Sequence, residues 1–134
     1  MKNYVVLWFL IPLLMIFNSS VYSQTINETD TELCDAFKYA LIRSLGEPID
    51  RAIAEIYKDD EVAQEEGLTW ATYDTEILKI KQLYGVGGLY EITLKVHPYY
   101  RAHITYGEDK IVVSSDGELI DYEHLKTYPK VDFN

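Results

Sequence analysis

Residues 89–97 constrain the fold more than any other stretch of this chain. Tyr90, Ile92, Leu94 and Val96 alternate there with Glu91, Thr93, Lys95 and His97. An extended backbone therefore presents one apolar face and one wet face. Such a strand needs neighbours at its edges and a cover over its apolar side. The neighbours are legible. Residues 72–84 set Ile77, Leu78 and Ile80 among Lys79, Lys81 and β-favouring Thr and Tyr residues, which predicts a preceding strand. Gly85-Val86-Gly87-Gly88 supplies a flexible hairpin loop between the two. Ile111, Val112 and Val113 predict a third strand over residues 109–114. Asp116-Gly117 is a dipeptide favoured where a tight hairpin needs positive φ, and residues 118–125 then return as a fourth strand. The expectation is a four-stranded antiparallel meander with one bare face. Residues 126–134, with Pro129, read as a tail.

The cover comes from the residues before the sheet. Thr29 and Glu32 have the spacing of a capping box and predict a helix start. At 100° per residue, Leu33, Ala36, Phe37, Ala40, Leu41 and Leu45 fall on one side of that helix, and Asp35, Lys38, Tyr39 and Arg43 fall mostly opposite. Gly46 predicts a left-handed closing residue, and Pro48 suits the first turn of a new helix. In that second helix, residues 48–57, Ile49, Ala52, Ile53, Ile56 and Tyr57 share a face. Residues 58–67 hold five acids in ten positions and predict a solvated loop or an extra helical turn. They lack the alternating acids and central glycine of an EF-hand calcium loop. The fold class expected is α+β, an N-terminal helix pair packed on the four-stranded antiparallel meander. By analogy of element order this is the half-open cone of cystatin-like or nuclear-transport-factor-like (NTF2-like) domains.

Ahead of this domain lies a different kind of sequence. Lys2 precedes an apolar run over residues 4–17, and the polar stretch Asn18-Ser19-Ser20-Val21-Tyr22-Ser23 follows. This is the order of a Sec-type signal peptide, with Val21 and Ser23 as the small pair before a cut after Ser23. The run is fourteen residues with Pro12 inside it, short of the roughly 20 that span a bilayer core. The expectation is a secreted single domain, residues 24–134, with no stable membrane span after cleavage. The formal charge is −10 for the whole chain and −11 once Lys2 leaves with the leader, and it repels phosphate backbones, so no nucleic-acid partner is expected. Cys34 is the only cysteine and cannot form an internal disulfide. Its place near the edge of the apolar helix stripe predicts an inert core thiol rather than a nucleophile.

His97, His103 and His124 are the only imidazoles, and no His-x-x-x-His, His-x-His or Cys-x-x-Cys spacing accompanies them. No catalytic, cofactor-binding or metal-ligating residue is predicted, and no cofactor. The candidate binding loop is residues 98–108, which join two strands and are long for a hairpin connection. Its residues Tyr99, Tyr100, His103 and Tyr106, with Asp109 just beyond, combine flat apolar faces and polar tips that suit peptides or sugars. The competing expectation is that Tyr100 or Tyr106 folds back over the sheet end, and that Asp109 accepts hydrogen bonds from loop N–H groups or from His103.

A resemblance joins these segments. Glu32-Leu33, Ala40-Leu41, Pro48-Ile49 and Ala52-Ile53 are followed by Tyr73-Asp74, Ile77-Leu78-Lys79-Ile80 and the strand from Tyr90 to Val96. Then come Pro98-Tyr99, Ala102-His103, Gly107, Asp109 and Ile111. The order resembles a family of small secreted proteins of spore-forming Gram-positive bacteria catalogued as domain of unknown function 3888. That resemblance implies a secreted helix-plus-sheet domain and no activity. The function expected is a non-enzymatic exported domain that binds a protein, peptide or small ligand in the cell envelope or outside the cell. The alternatives are a small envelope hydrolase or metal-dependent protein using His103 and Asp109, and a structural component of a spore or wall layer.

Overall fold

A computed structural model of the protein describes residues 32–132. The leader, its cleavage site and the Thr29 end of the capping box lie outside the described residues. Helices α1 (Glu32–Ser44), α2 (Gly46–Ile56) and α3 (Glu61–Glu66) come first. Six strands follow: β1 (Glu76–Gln82), β2 (Tyr90–Val96), β3 (Tyr99–Tyr100), β4 (Ile104–Thr105), β5 (Gly107–Ser114) and β6 (Leu119–Thr127). The main sheet has the order β1-β2-β5-β6 with every pair antiparallel. This is the mixed helix-and-sheet class with the four-stranded antiparallel sheet that alternation demands. The β3-β4 pair is a separate small hairpin.

Alternation sets what each face does. Ile92, Leu94 and Val96 of β2 and Ile111 and Val113 of β5 are buried. They share one core with Ile42, Leu45, Ile49, Ala52, Ile53 and Tyr57. The other face carries ion pairs, Lys95 with Glu76 at 2.9 Å and Lys110 with Glu123. In β1 the register shifts between Ile77 and Lys79. The extra residue, Leu78, is consequently exposed, although its neighbours in sequence suggest burial.

Two expectations need correction. Only the end of the predicted stripe is covered: Leu45 is buried and Leu41 packs partly buried on the core, while Phe37 is 65% exposed, Ala36 and Ala40 are exposed, and the buried residue of α1 itself is Ile42. The reason is contact: α1 touches α2 and the 3-10 turn Thr72–Asp74, whereas α2 lies against β5 and β6. Only the C-terminal end of α1 reaches the core, and Cys34 near its start is half-buried. Second, Gly46 is the first residue of α2, and the break between the helices falls at Leu45, φ −94°. Of the two forms expected for the acidic segment, the extra helical turn is the one present, and it is anchored. Asp60 caps α3 by accepting from the Ala63 N–H at 3.0 Å, and Glu66 is held by Arg101 and Lys130. The tail is tied down as well, by the Tyr128 N–H on the Tyr106 carbonyl at 2.7 Å and the Val131 N–H on the Tyr100 hydroxyl at 3.0 Å.

Candidate functional site

The structure folds residues 98–107 into the β3-β4 hairpin, with a three-residue tip, Arg101-Ala102-His103. Thr69 bridges its outer edge: the Thr69 N–H donates to the Tyr99 carbonyl at 2.9 Å and the Tyr99 N–H to the Thr69 carbonyl at 2.8 Å. At its base the Pro98 carbonyl accepts from the N–H of Tyr106 at 2.7 Å. The Arg101 guanidinium makes two 2.7 Å contacts to the Glu66 carboxylate. Those bonds, with a further one from Lys130, hold the Glu66 carboxyl below the ordinary glutamate range. The hairpin is thus clamped to α3 from one side and to Thr69 from the other.

The tip is strained. Arg101 has φ 51° and His103 has φ 62°, left-handed values that side chains with a Cβ seldom take. This conformation sets the His103 ring 4.5 Å from the Tyr99 ring at 39°. It also brings Nδ1 of His103 to 3.0 Å from the Tyr73 hydroxyl. Tyr73 is 66% exposed and His103 is exposed. Beside them, Nδ1 of His97 lies 2.8 Å from the Asp74 carbonyl oxygen.

The predicted loop residues therefore divide. Tyr99 and His103 stand together at the surface and gain Tyr73 as a third member. Tyr100 and Tyr106 turn inward and are buried, their rings 6.0 Å apart and edge-on. The Tyr106 hydroxyl donates to the Asp60 carboxylate, 2.8 and 2.9 Å from its two oxygens. Burial, with that bond, pushes the Tyr106 phenol up to about 12. Neither tyrosine belongs to the exposed face.

Asp109 goes elsewhere. Its side chain is fully buried on β5, and the partners given by the fold are not the loop N–H groups or His103. Oδ2 accepts from the Tyr57 hydroxyl at 3.0 Å, and Oδ1 lies 2.7 Å from Nδ1 of His124 on β6. Desolvation pushes the Asp109 carboxyl up, and the two hydrogen bonds oppose it. Burial and then the adjacent carboxylate push the Tyr57 phenol far above its usual range, so it stays a donor. Space for this contact comes from Gly107, where a Cβ would stand 1.8 Å from the Tyr57 hydroxyl oxygen. On its far side His124 meets Thr127, Nε2 to Oγ1 at 2.8 Å. Among the described residues, no three His, Cys, Asp or Glu side chains converge as a metal site. No helix among them is long and apolar enough to cross a membrane.

Residues 37–126 match the family model described as Protein of unknown function (DUF3888). The chain belongs to this family. The DUF3888 match begins in α1 and ends in β6, so it takes in Tyr57, Tyr73, Tyr99, His103, Gly107, Asp109 and His124. Thr127 lies one residue beyond it. No curated protein and no solved structure matches the chain.

Tyr57, Tyr73, His124 and Thr127 are not among the residues expected at a site from the sequence. For His124 a signal was present. Counting outward equally from Asp116 and Gly117 sets Asp109 opposite His124, but the turn closes one residue out of that count, with Val113 opposite Leu119, and a bulge at Ile120 restores the counted pairing. For Tyr57 and Tyr73 no local pattern announces the partner, because each bond closes across 30 or more residues.

Proposed function

We propose that this DUF3888 domain is exported and works by binding a peptide or sugar chain across Tyr73, Tyr99 and His103. The observation that carries the reading is the left-handed His103 at an exposed hairpin tip. Strained residues cost of order 1–3 kcal/mol each and persist where surrounding structure enforces them. Here the strain is not repaid by burying His103; it serves to set a flat imidazole and two tyrosine rings side by side. The Glu66 clamp and the Thr69 bridge keep that face fixed before a ligand arrives, which lowers the ordering cost of binding. Aromatic faces stack on sugar rings and peptide planes, and the tyrosine tips and imidazole offer hydrogen bonds at their edges.

Export rests on residues 1–23, whose order of charged, apolar and small polar parts is that of a signal peptide. A bacterial envelope setting and α1 and α2 as a helix pair closing one side of a half-open cone belong to the same proposal. Ile42, Leu45, Ile49 and Ile53 in the common core support the helix pairing. The direct test is calorimetric titration of residues 24–134 with soluble peptidoglycan fragments, which carry both sugar rings and peptide. Binding by the parent chain that is lost in Tyr99→Ala and His103→Ala, with unchanged melting, is the expected result. Equal binding by all three chains would reject this face.

A further inference from the structure

Asp109, His124 and Thr127 form a line of hydrogen bonds that runs from the core to the surface. Asp109 has 0% exposure, and the His124 side chain has 37%. An ionised buried carboxylate can only accept, so in the neutral imidazole it keeps the proton on Nδ1 and leaves a lone pair on Nε2. The Thr127 hydroxyl, 2.8 Å away, then donates to that lone pair. Hydroxyl, base and orienting acid stand in the order and at the distances that acyl transfer uses.

Two features separate this line from an ordinary tie between strands. Burial does not require Thr127: the two oxygens of Asp109 are taken by Tyr57 and His124, and an exposed hydroxyl is served equally well by water. A β-bulge also serves the arrangement. Glu108 pairs with Lys126 and Asp109 with His124, which leaves Leu125 as the extra residue of β6. Residues three apart on a regular strand point to opposite faces, and the bulge is what brings His124 and Thr127 together. The site is reachable, because β6 is an edge of the sheet. The Tyr128 N–H turns inward to Tyr106, so alternation points the Thr127 N–H outward from the sheet edge.

We propose that Thr127 is the nucleophile, and His124 the general base, of a second site in this domain that acts on carboxylic esters. It is independent of ligand binding at the hairpin. Oγ1 of Thr127 forms a bond to the ester carbonyl carbon while its proton passes to Nε2 of His124. The bond from that carbon to the alcohol oxygen breaks, and the proton goes to the departing alkoxide. Water repeats the exchange in reverse: it gives a proton to His124, its oxygen bonds to the acyl carbon, and the carboxylic acid leaves as Thr127 regains its proton. The net reaction is ester plus water to acid plus alcohol. Asp109 and Tyr57 are positioning residues.

The probe is p-nitrophenyl acetate with residues 24–134, read by p-nitrophenolate release, intact mass and peptide mapping of the adduct. The expected result is a single acetyl group on Thr127 with turnover above the buffer rate. Thr127→Val should abolish both, and Thr127→Ser should retain them. His124→Gln should slow acylation by about 10²–10⁴-fold, the usual range for loss of a general base, and Asp109→Asn should slow it while circular dichroism still reports a folded chain. Thr127 is exposed, so the Val and Ser variants keep the fold intact whatever becomes of the Asp109 variant. No adduct on the folded chain, acetyl groups on lysines or tyrosines alone, or acylation of Thr127 at an unchanged rate in His124→Gln would each overturn the proposal.

Discussion

Gly107→Ala tests whether the Asp109 cluster is built as described. The new Cβ would stand 1.8 Å from the Tyr57 hydroxyl oxygen, 3.0 Å from Cζ and 3.3 Å from the Lys126 carbonyl oxygen. Tyr57 is 4% exposed and its ring is rigid, so it cannot slide away without leaving Asp109. Overpacking of this kind costs about 1–3 kcal/mol. Losing a hydrogen bond to a charged group adds about 1.5–3 kcal/mol. The substitution should therefore destabilise the domain by about 3–5 kcal/mol, read as a lower urea midpoint at unchanged slope. Tyr57→Phe in the same chain removes the most crowded atom, so the double variant should be more stable than the two single effects summed, by about 1–2 kcal/mol. A Gly107→Ala cost under about 1 kcal/mol, or strict additivity, would refute this packing.

Three further outcomes follow from the same contacts. Asp109→Asn keeps one acceptor oxygen but puts an N–H₂ against a donor, so it should cost about 1–3 kcal/mol in a thermal melt; a melt like the parent's would count against the buried network. Asp60→Ala removes both the cap of α3 and the Tyr106 acceptor, and should lower stability by about 2–4 kcal/mol in denaturant titration. Glu66 is held below its ordinary value of 4.5 by bonds from Arg101 and Lys130, so its pairing stabilises the folded chain above that pH and is lost as pH falls through the lowered value. Glu66→Gln should therefore weaken the domain at neutral pH, with the difference from the parent closing on acidification below 4.5; a gap that persists in acid would show another cause.

How much was legible follows from where each signal lies. The alternation at Tyr90 to Val96 dictates a one-sided sheet, and Asp116-Gly117 marks the β5-β6 turn. These are local features. The pairing of Asp109 with His124 depends instead on a bulge at Ile120 that nothing local announces. The α1 stripe misled because a helical wheel shows which residues share a face and says nothing of how far along the helix its cover extends. Ile42 meets the core while Phe37 points to solvent. Leu78 misled because a bulge turns it outward. Of the candidate loop, the sequence identified the tyrosines but not their directions. Whether Tyr99 or Tyr100 faces out is set by the two-residue register of β3 with β4 and by the Glu66 clamp, both formed at long range.

A ligand face at the hairpin tip is most directly tested by amide NMR shifts of residues 24–134 titrated with soluble peptidoglycan fragments. Saturable shifts concentrated at Tyr73 and residues 99–103, and absent in His103→Ala, are the predicted result. Saturable shifts centred elsewhere, or no shifts at millimolar fragment, would contradict it.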